Sequence, residues 1–193
     1  MFLNFNGEVR REDEALLRAD NRGFRYGDGL FETMLVRGGR LRLGQYHLER
    51  LRAGMKALNL EWSGTDGDGG GLRLDWLEEM VEGLRARNGL RGDCRVRLTV
   101  FRGGSGLYND LDRAAGFCIQ VGALAGQGWR SEGLSLEVYP DGRKVCDVFS
   151  GIKSNNYLLS SLAGMYAAQG GVDECVLLNS FGRVAETDRK SVV

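Results

Sequence analysis

Between Cys94 and Val100 the chain reads CRVRLTV, with Cys94, Val96, Leu98 and Val100 alternating against Arg95, Arg97 and Thr99. A period of two with one apolar row marks a strand buried on one face, so this segment needs strand neighbours and an apolar cover. The preceding residues supply both. FLNF is a short apolar strand ending at Asn6 and Gly7, and GLFETMLVRGGRLRL reads as two β runs joined at Gly38 and Gly39. From Gln45 to Leu60, Leu48, Leu51, Met55 and Leu58 recur at helical spacing. Leu77, Met80, Val81 and Leu84 mark a second amphipathic helix, closed near Asn88 and Gly89.

GTDGDGGG at 64–71 cannot hold regular structure, because glycine loses most backbone freedom on ordering and has no side chain to bury, so it reads as a linker between the helices. GFCIQVGAL and LSLEVYP read as further strands, the second closed by Pro140. From Ser154 onward, Leu158, Leu162 and Met165 mark a third helix, and ECVLLN with FGRVAE forms a hairpin. The expected fold class is α/β (α+β) in two parts. A small N-terminal α/β domain covers 1–115, and the first part of a larger domain covers 116–193, with the joint in the region of 109–125.

Twenty-six basic residues balance 26 acidic ones, so no net field favours nucleic acid or an anionic membrane as partner. MFLNFNGEVRRED has no basic signal-peptide start, no segment is apolar for a membrane span, and the expected compartment is the cytoplasm. Cys94, Cys118, Cys146 and Cys175 lack metal-ligand spacing and read as small apolar side chains, so no metal is expected. His47 is the single histidine and sits among Leu48 and Leu51, where helix packing suits it better than a Ser/His/Asp triad.

Lys153 stands apart from the other lysines, Lys56, Lys144 and Lys190. A lysine that forms a Schiff base needs a neutral amine part of the time, which apolar surroundings or a positive potential favour. Lys153 follows Val148, Phe149 and Ile152 and is expected to precede a helix immediately, with Ser154 or Asn155 near its cap. The same residues also describe an ordinary surface lysine at a helix start.

NRGFRYGDGLFETMLVRGGRL, then HLERL, then GIKSNNYL, then DECVLLNSFGRVAE resemble, in order over residues 3–187, the motif series of class IV aminotransferases, the group that includes branched-chain and D-amino-acid aminotransferases and aminodeoxychorismate lyase. The resemblance implies the fold type IV architecture and pyridoxal 5'-phosphate as cofactor. Lys153 then matches the Schiff-base lysine, Glu186 the partner of the pyridine nitrogen, and Arg50 in HLERL the arginine on the cofactor phosphate. Without the resemblance Arg50 reads as a helix-surface arginine. Tyr157 matches a residue whose phenol reaches the ring oxygen in some members, and packing suits it equally.

Tyr26, Phe31 and Glu32 fall in the stretch that lines the pocket in relatives. Arg102 and Tyr108 fall in the loop FRGGSGLY that approaches the substrate. Arg102 reads either as the cation for a substrate carboxylate or as an arginine shaping a glycine turn. The implied reaction moves an amino group between an amino acid and a 2-oxo acid, with Lys153 as base at Cα. Elimination of pyruvate from aminodeoxychorismate is the alternative, and the loop lacks a second arginine associated with that lyase. Relatives are homodimers. After GRVAET they continue into a substantial further part, whereas this chain reads DRKSVV. Residues 188–193 are therefore taken as a non-native tail on an incomplete larger domain, with an inactive truncated protein as the remaining alternative.

Overall fold

The structure is a computed structural model that describes residues 1–64, 71–124 and 131–189. Most of the glycine-rich linker lies outside the described residues. The elements run β1 (Phe2–Phe5), β2 (Glu8–Arg11), α1 (Arg22–Tyr26), β3 (Gly29–Arg37), β4 (Arg40–Leu41), α2 (Gly44–Ala57) and β5 (Glu61–Trp62). They continue through α3 (Leu74–Arg87), β6 (Cys94–Arg102), β7 (Ala114–Ala123), β8 (Leu136–Val138), α4 (Leu158–Gly170), β9 (Glu174–Leu178) and β10 (Val184–Thr187).

Two compact units result, Met1–Gly126 with Ile152–Asn155, and Gln127–Gly151 with Asn156–Val193. The joint placed at residue 115 falls inside β7, whose pairing with β6 runs without a break from Ala115 to Ala123. A continuous ladder keeps all of β7 in the first unit.

In the first unit one sheet has the order β2-β1-β7-β6-β3-β4, with β5 pairing parallel to the start of β7. The alternation that singled out CRVRLTV is realised directly: Cys94, Val96, Leu98 and Val100 are fully buried against Leu48, Leu51 and Met55 of α2 and Leu77, Val81 and Leu84 of α3. Trp62 stacks on Phe117 at 4.7 Å and Trp76 meets both rings edge-on, closing the core beside β5.

The second unit holds a three-stranded sheet, β10-β9-β8, with α4 packed against β9 over Tyr139, Ala163, Ala167, Cys175 and Leu177. The third helix therefore differs from its sequence reading twice. It starts at Leu158, with Tyr157 at the N-cap. Its buried residues are Ser160, Ala163 and Ala167, while Leu158, Leu162 and Met165 are exposed. Small side chains let the helix axis approach the sheet closely, and that places the larger ones outward.

Candidate active site

β3 and β6 divide the candidate residues between the two faces of their sheet. Glu32 shares the helix-facing row with Leu30, Met34 and Val36, whereas Phe31 points to the opposite face. The alternation of a strand sends the two side chains to opposite faces of the sheet.

On the helix side, Glu32 is buried and takes Arg50 through both oxygens, from Nε at 2.7 Å and from a terminal guanidinium nitrogen at 2.6 Å. His47 Nδ1 lies 2.7 Å from Oε2 of the same carboxylate. An ionised carboxylate only accepts, so Nδ1 carries the proton in this pair. His47 and Arg50 are one α-helical step apart on α2, which is why both reach one acid on β3. Burial alone would raise the Glu32 carboxyl, but the hydrogen bonds from Arg50 and His47 outweigh it and hold it below its ordinary value. The bidentate pair fixes the plane of the Arg50 guanidinium.

On the other face, Lys153 is tied to the start of β3 by its backbone. The Phe31 N–H donates to the Lys153 carbonyl oxygen at 3.0 Å, and the Asn155 N–H donates to the Gly29 carbonyl oxygen at 2.9 Å. Leu30 and Ser154 form an antiparallel bridge between these bonds. This short pairing uses the edge of β3 away from β6, which is open here because β4 pairs only with Val36 and Arg37. Gly29 permits the approach: a Cβ there would meet the Val100 carbonyl oxygen and come within 2.6 Å of the Asn155 side-chain amide.

Ser154 and Asn155 thus belong to a strand-like segment and cap no helix, and Lys153 stands five residues before α4. Val148 and Phe149, which precede it in the chain, are 85% and 51% exposed. The apolar neighbour is Phe31: Lys153 Nζ lies 4.6 Å from its ring centroid. Arg97, which sequence reasoning treated only as an outward strand residue, is 3.8 Å from the same ring. Arg97 opposes Thr33, two residues from Phe31 on one face, so the register was the signal that would have found it.

Arg102 is committed within the first unit, in keeping with the second of its two readings, an arginine that shapes the glycine loop. Nε donates to Asp28 at 2.8 Å, and the terminal nitrogens donate to the carbonyl oxygens of Asp112 at 2.6 Å and Leu58 at 2.7 Å, with longer bonds to Asn59 and Asp28. These use all five guanidinium donors. Arg22 also pairs with Asp28, at 2.9 Å, and holds the carbonyl oxygens of Tyr108 and Asp110. Asn21 caps α1 at Phe24 and donates to the Arg102 carbonyl oxygen. These bonds stitch α1 to the glycine loop and set Tyr26 edge-on to Tyr108, with ring centroids 6.2 Å apart and both rings exposed.

In the second unit Glu186 sits on β10 directly after a register shift against β9, a bulge that re-aims the side chain. Its Oε1 accepts from Lys144 Nζ at 2.5 Å. That ammonium also donates to Ser160 Oγ at 3.2 Å and stands 5.2 Å from the Tyr157 ring centroid. Glu186 and Tyr157 are brought together around a lysine that the sequence reading set aside. Asp188 accepts from the Cys175 N–H at 2.7 Å, so the first residue of the DRKSVV stretch is integrated in the unit.

The first unit by itself provides a strand-anchored amine beside an aromatic face and a guanidinium oriented by a buried acid, and the second by itself provides a carboxylate held through one oxygen. The model of the family Amino-transferase class IV matches residues 29–193. A putative branched-chain-amino-acid aminotransferase of Methanocaldococcus jannaschii is 32% identical over 96% of this chain and 62% of its own length. The crystal structure of the branched-chain aminotransferase of Thermoproteus uzoniensis with norvaline superposes with a TM-score of 0.80 at 25% identity, over 97% of this chain and 63% of that one. A hypothetical aminotransferase from Mycobacterium tuberculosis, in its PLP-bound form, shares the fold, with a TM-score of 0.73 at 22% identity over 97% of this chain and 65% of that one. The chain therefore spans less than two thirds of the length of these relatives, and it belongs to the class IV aminotransferase family.

Proposed function

We propose that the chain acts as a pyridoxal-phosphate-dependent aminotransferase, moving an amino group between an amino acid and a 2-oxo acid, with branched-chain amino acids as the donor class. The observation that carries this reading is the anchoring of Lys153 to β3 with its amine against the Phe31 ring. The family match and the two branched-chain relatives support it.

Each unit, taken by itself, carries residues whose chemistry suits the cofactor. Lys153 offers the amine, and Glu186 offers a carboxylate oxygen, Oε2, with no partner among the described residues. When bound, pyridoxal phosphate supplies an electron-withdrawing ring that accepts the electron pair left by a departing Cα proton. Lys153 Nζ takes that proton from Cα and returns it. Glu186 accepts from the ring N–H and keeps the ring protonated. Arg50, oriented by Glu32, would hold the phosphate, and the Tyr157 phenol would serve the ring oxygen. Pairing of the 153–155 segment with β3 keeps the amine at a fixed place through the cycle.

The test is an assay of purified protein with pyridoxal phosphate, leucine or valine, and 2-oxoglutarate. Formation of glutamate that Lys153→Ala abolishes is expected. Release of pyruvate and 4-aminobenzoate from aminodeoxychorismate, without glutamate formation, would replace this reading by the lyase.

A further inference from the structure

Lys144 is placed by its backbone before its side chain makes any contact. Its N–H donates to the Leu178 carbonyl oxygen at 2.8 Å, and its own carbonyl oxygen accepts from the Ser180 N–H at 3.0 Å. It also forms a parallel bridge with Asn179. These bonds fix its Cα beside the end of β9, at the turn that leads into β10. From there the side chain reaches Glu186 on β10 and Ser160 on α4, and passes the face of Tyr157 at the helix N-cap. Lys144 and Glu186 are 25% and 20% exposed at the side chain, so the pair is partly shielded from water and ions.

An ammonium donates in three directions and a carboxylate accepts on two oxygens. Lys144 spends one N–H on Oε1 and another on Ser160, which holds the ammonium on two sides. The Glu186 carboxylate is then held by a charged partner at one oxygen, while Oε2 is left for another donor. The bulge before Glu186 aims the residue, and Lys144 tethers one of its oxygens.

Resting on the reading of Glu186 as the partner of the cofactor ring nitrogen, we propose that Lys144 is a positioning residue: it grips Oε1 so that Oε2 is presented to the ring N–H. Lys144 touches neither substrate nor cofactor in this role and acts through Glu186 alone. Its effect therefore depends on whether the ring carries a nitrogen.

The experiment compares wild-type protein, Lys144→Met and Lys144→Arg by equilibrium dialysis against pyridoxal phosphate and against its deaza analogue, in which a C–H replaces the ring nitrogen. Lys144→Met should weaken pyridoxal phosphate about tenfold, the order of effect seen when the outer partner of a ligating group is removed. The same variant should bind the deaza analogue as wild type does, and Lys144→Arg should restore most of the affinity for pyridoxal phosphate. Equal weakening for both compounds, or none for either, would make the pair a structural tie only and overturn the proposal. Wild-type protein that takes up the deaza analogue and pyridoxal phosphate equally well would overturn the role of Glu186, and this one with it. Wild-type protein that takes up neither would remove the cofactor reading itself.

Discussion

Phe31 and Lys153 are joined twice, once by the backbone bond from the Phe31 N–H to the Lys153 carbonyl oxygen at 3.0 Å, and once by the amine lying 4.6 Å from the ring centroid. The first contact sets where the lysine starts and the second where it ends. Both depend on how closely the 153–155 segment approaches the start of β3, so the geometry at Gly29 governs the lysine.

Gly29→Ala tests that dependence. The added Cβ would meet the Asn155 side-chain amide and the Val100 carbonyl oxygen, and the latter is backbone held within the β3–β6 ladder and cannot yield. The expected loss is about 1–3 kcal/mol by urea unfolding, the range for overpacking a tight site. Attachment of pyridoxal phosphate should fall with it. Unchanged stability and unchanged attachment would show that the approach is not needed.

Glu32 gives the first unit an acid-sensitive contact. Its carboxyl is depressed because the hydrogen bonds from Arg50 and His47 exceed the cost of burial. A depressed carboxyl contributes stability in full above its unfolded value, and the contribution is lost as pH falls through the folded one. Glu32→Gln should cost about 1.5–3 kcal/mol at neutral pH, as expected for hydrogen bonds to a charged group. It should also flatten the acid limb of stability against pH, measured by urea midpoints from neutral pH down through the carboxylate range. An acid limb as steep as in wild type would contradict the assignment.

Arg102 and Tyr108 are neighbours in the chain's glycine loop with opposite expected sensitivities. Arg102→Lys exchanges five donors for three and leaves part-buried carbonyl oxygens of Leu58 or Asp112 unfilled, at about 1 kcal/mol for each unpaired group. Tyr108 is 75% exposed, and Tyr108→Ala should change stability by no more than about 0.5 kcal/mol. Thermal unfolding of the two variants side by side checks both. Equal losses would mean that the loop is not held by Arg102.

The four thiols should react in a fixed order. Cys146 is exposed and should be labelled first by a maleimide at neutral pH. Burial raises the Cys94 and Cys175 thiols, and pushes Cys118 up to about 11 against a smaller opposing effect of Arg97, so these stay protonated and unreactive. Mass mapping of the peptides after a brief exposure to the reagent should find label on Cys146 alone. Early labelling of Cys118 would contradict its raised thiol and partial burial.

Much of this was legible in the sequence because it followed from period. CRVRLTV, the hairpin at Gly38 and Gly39, and the face of α2 each bury an apolar row that alternation or helical spacing announces. Where α4 begins was not legible, since Ser154 and Asn155 look like caps until β3 offers them an open edge. Its buried face was misread because leucine spacing points to a core, while the close packing on β9 selects Ser160, Ala163 and Ala167. Lys144 was set aside because its partners, Ser160 and Glu186, lie 16 and 42 positions away and are brought to it only by the β9–β10 turn and α4. Arg102 was ambiguous for a related reason: its acceptors are backbone carbonyls, which leave no mark on residue identity.

The proposed chemistry turns on which lysine holds the cofactor. Wild-type protein incubated with pyridoxal phosphate, reduced with borohydride and digested should yield one modified peptide, carrying the phosphopyridoxyl mass on Lys153, with Lys56, Lys144 and Lys190 unmodified. Modification at Lys144 instead, or label spread evenly over the four lysines, would contradict it.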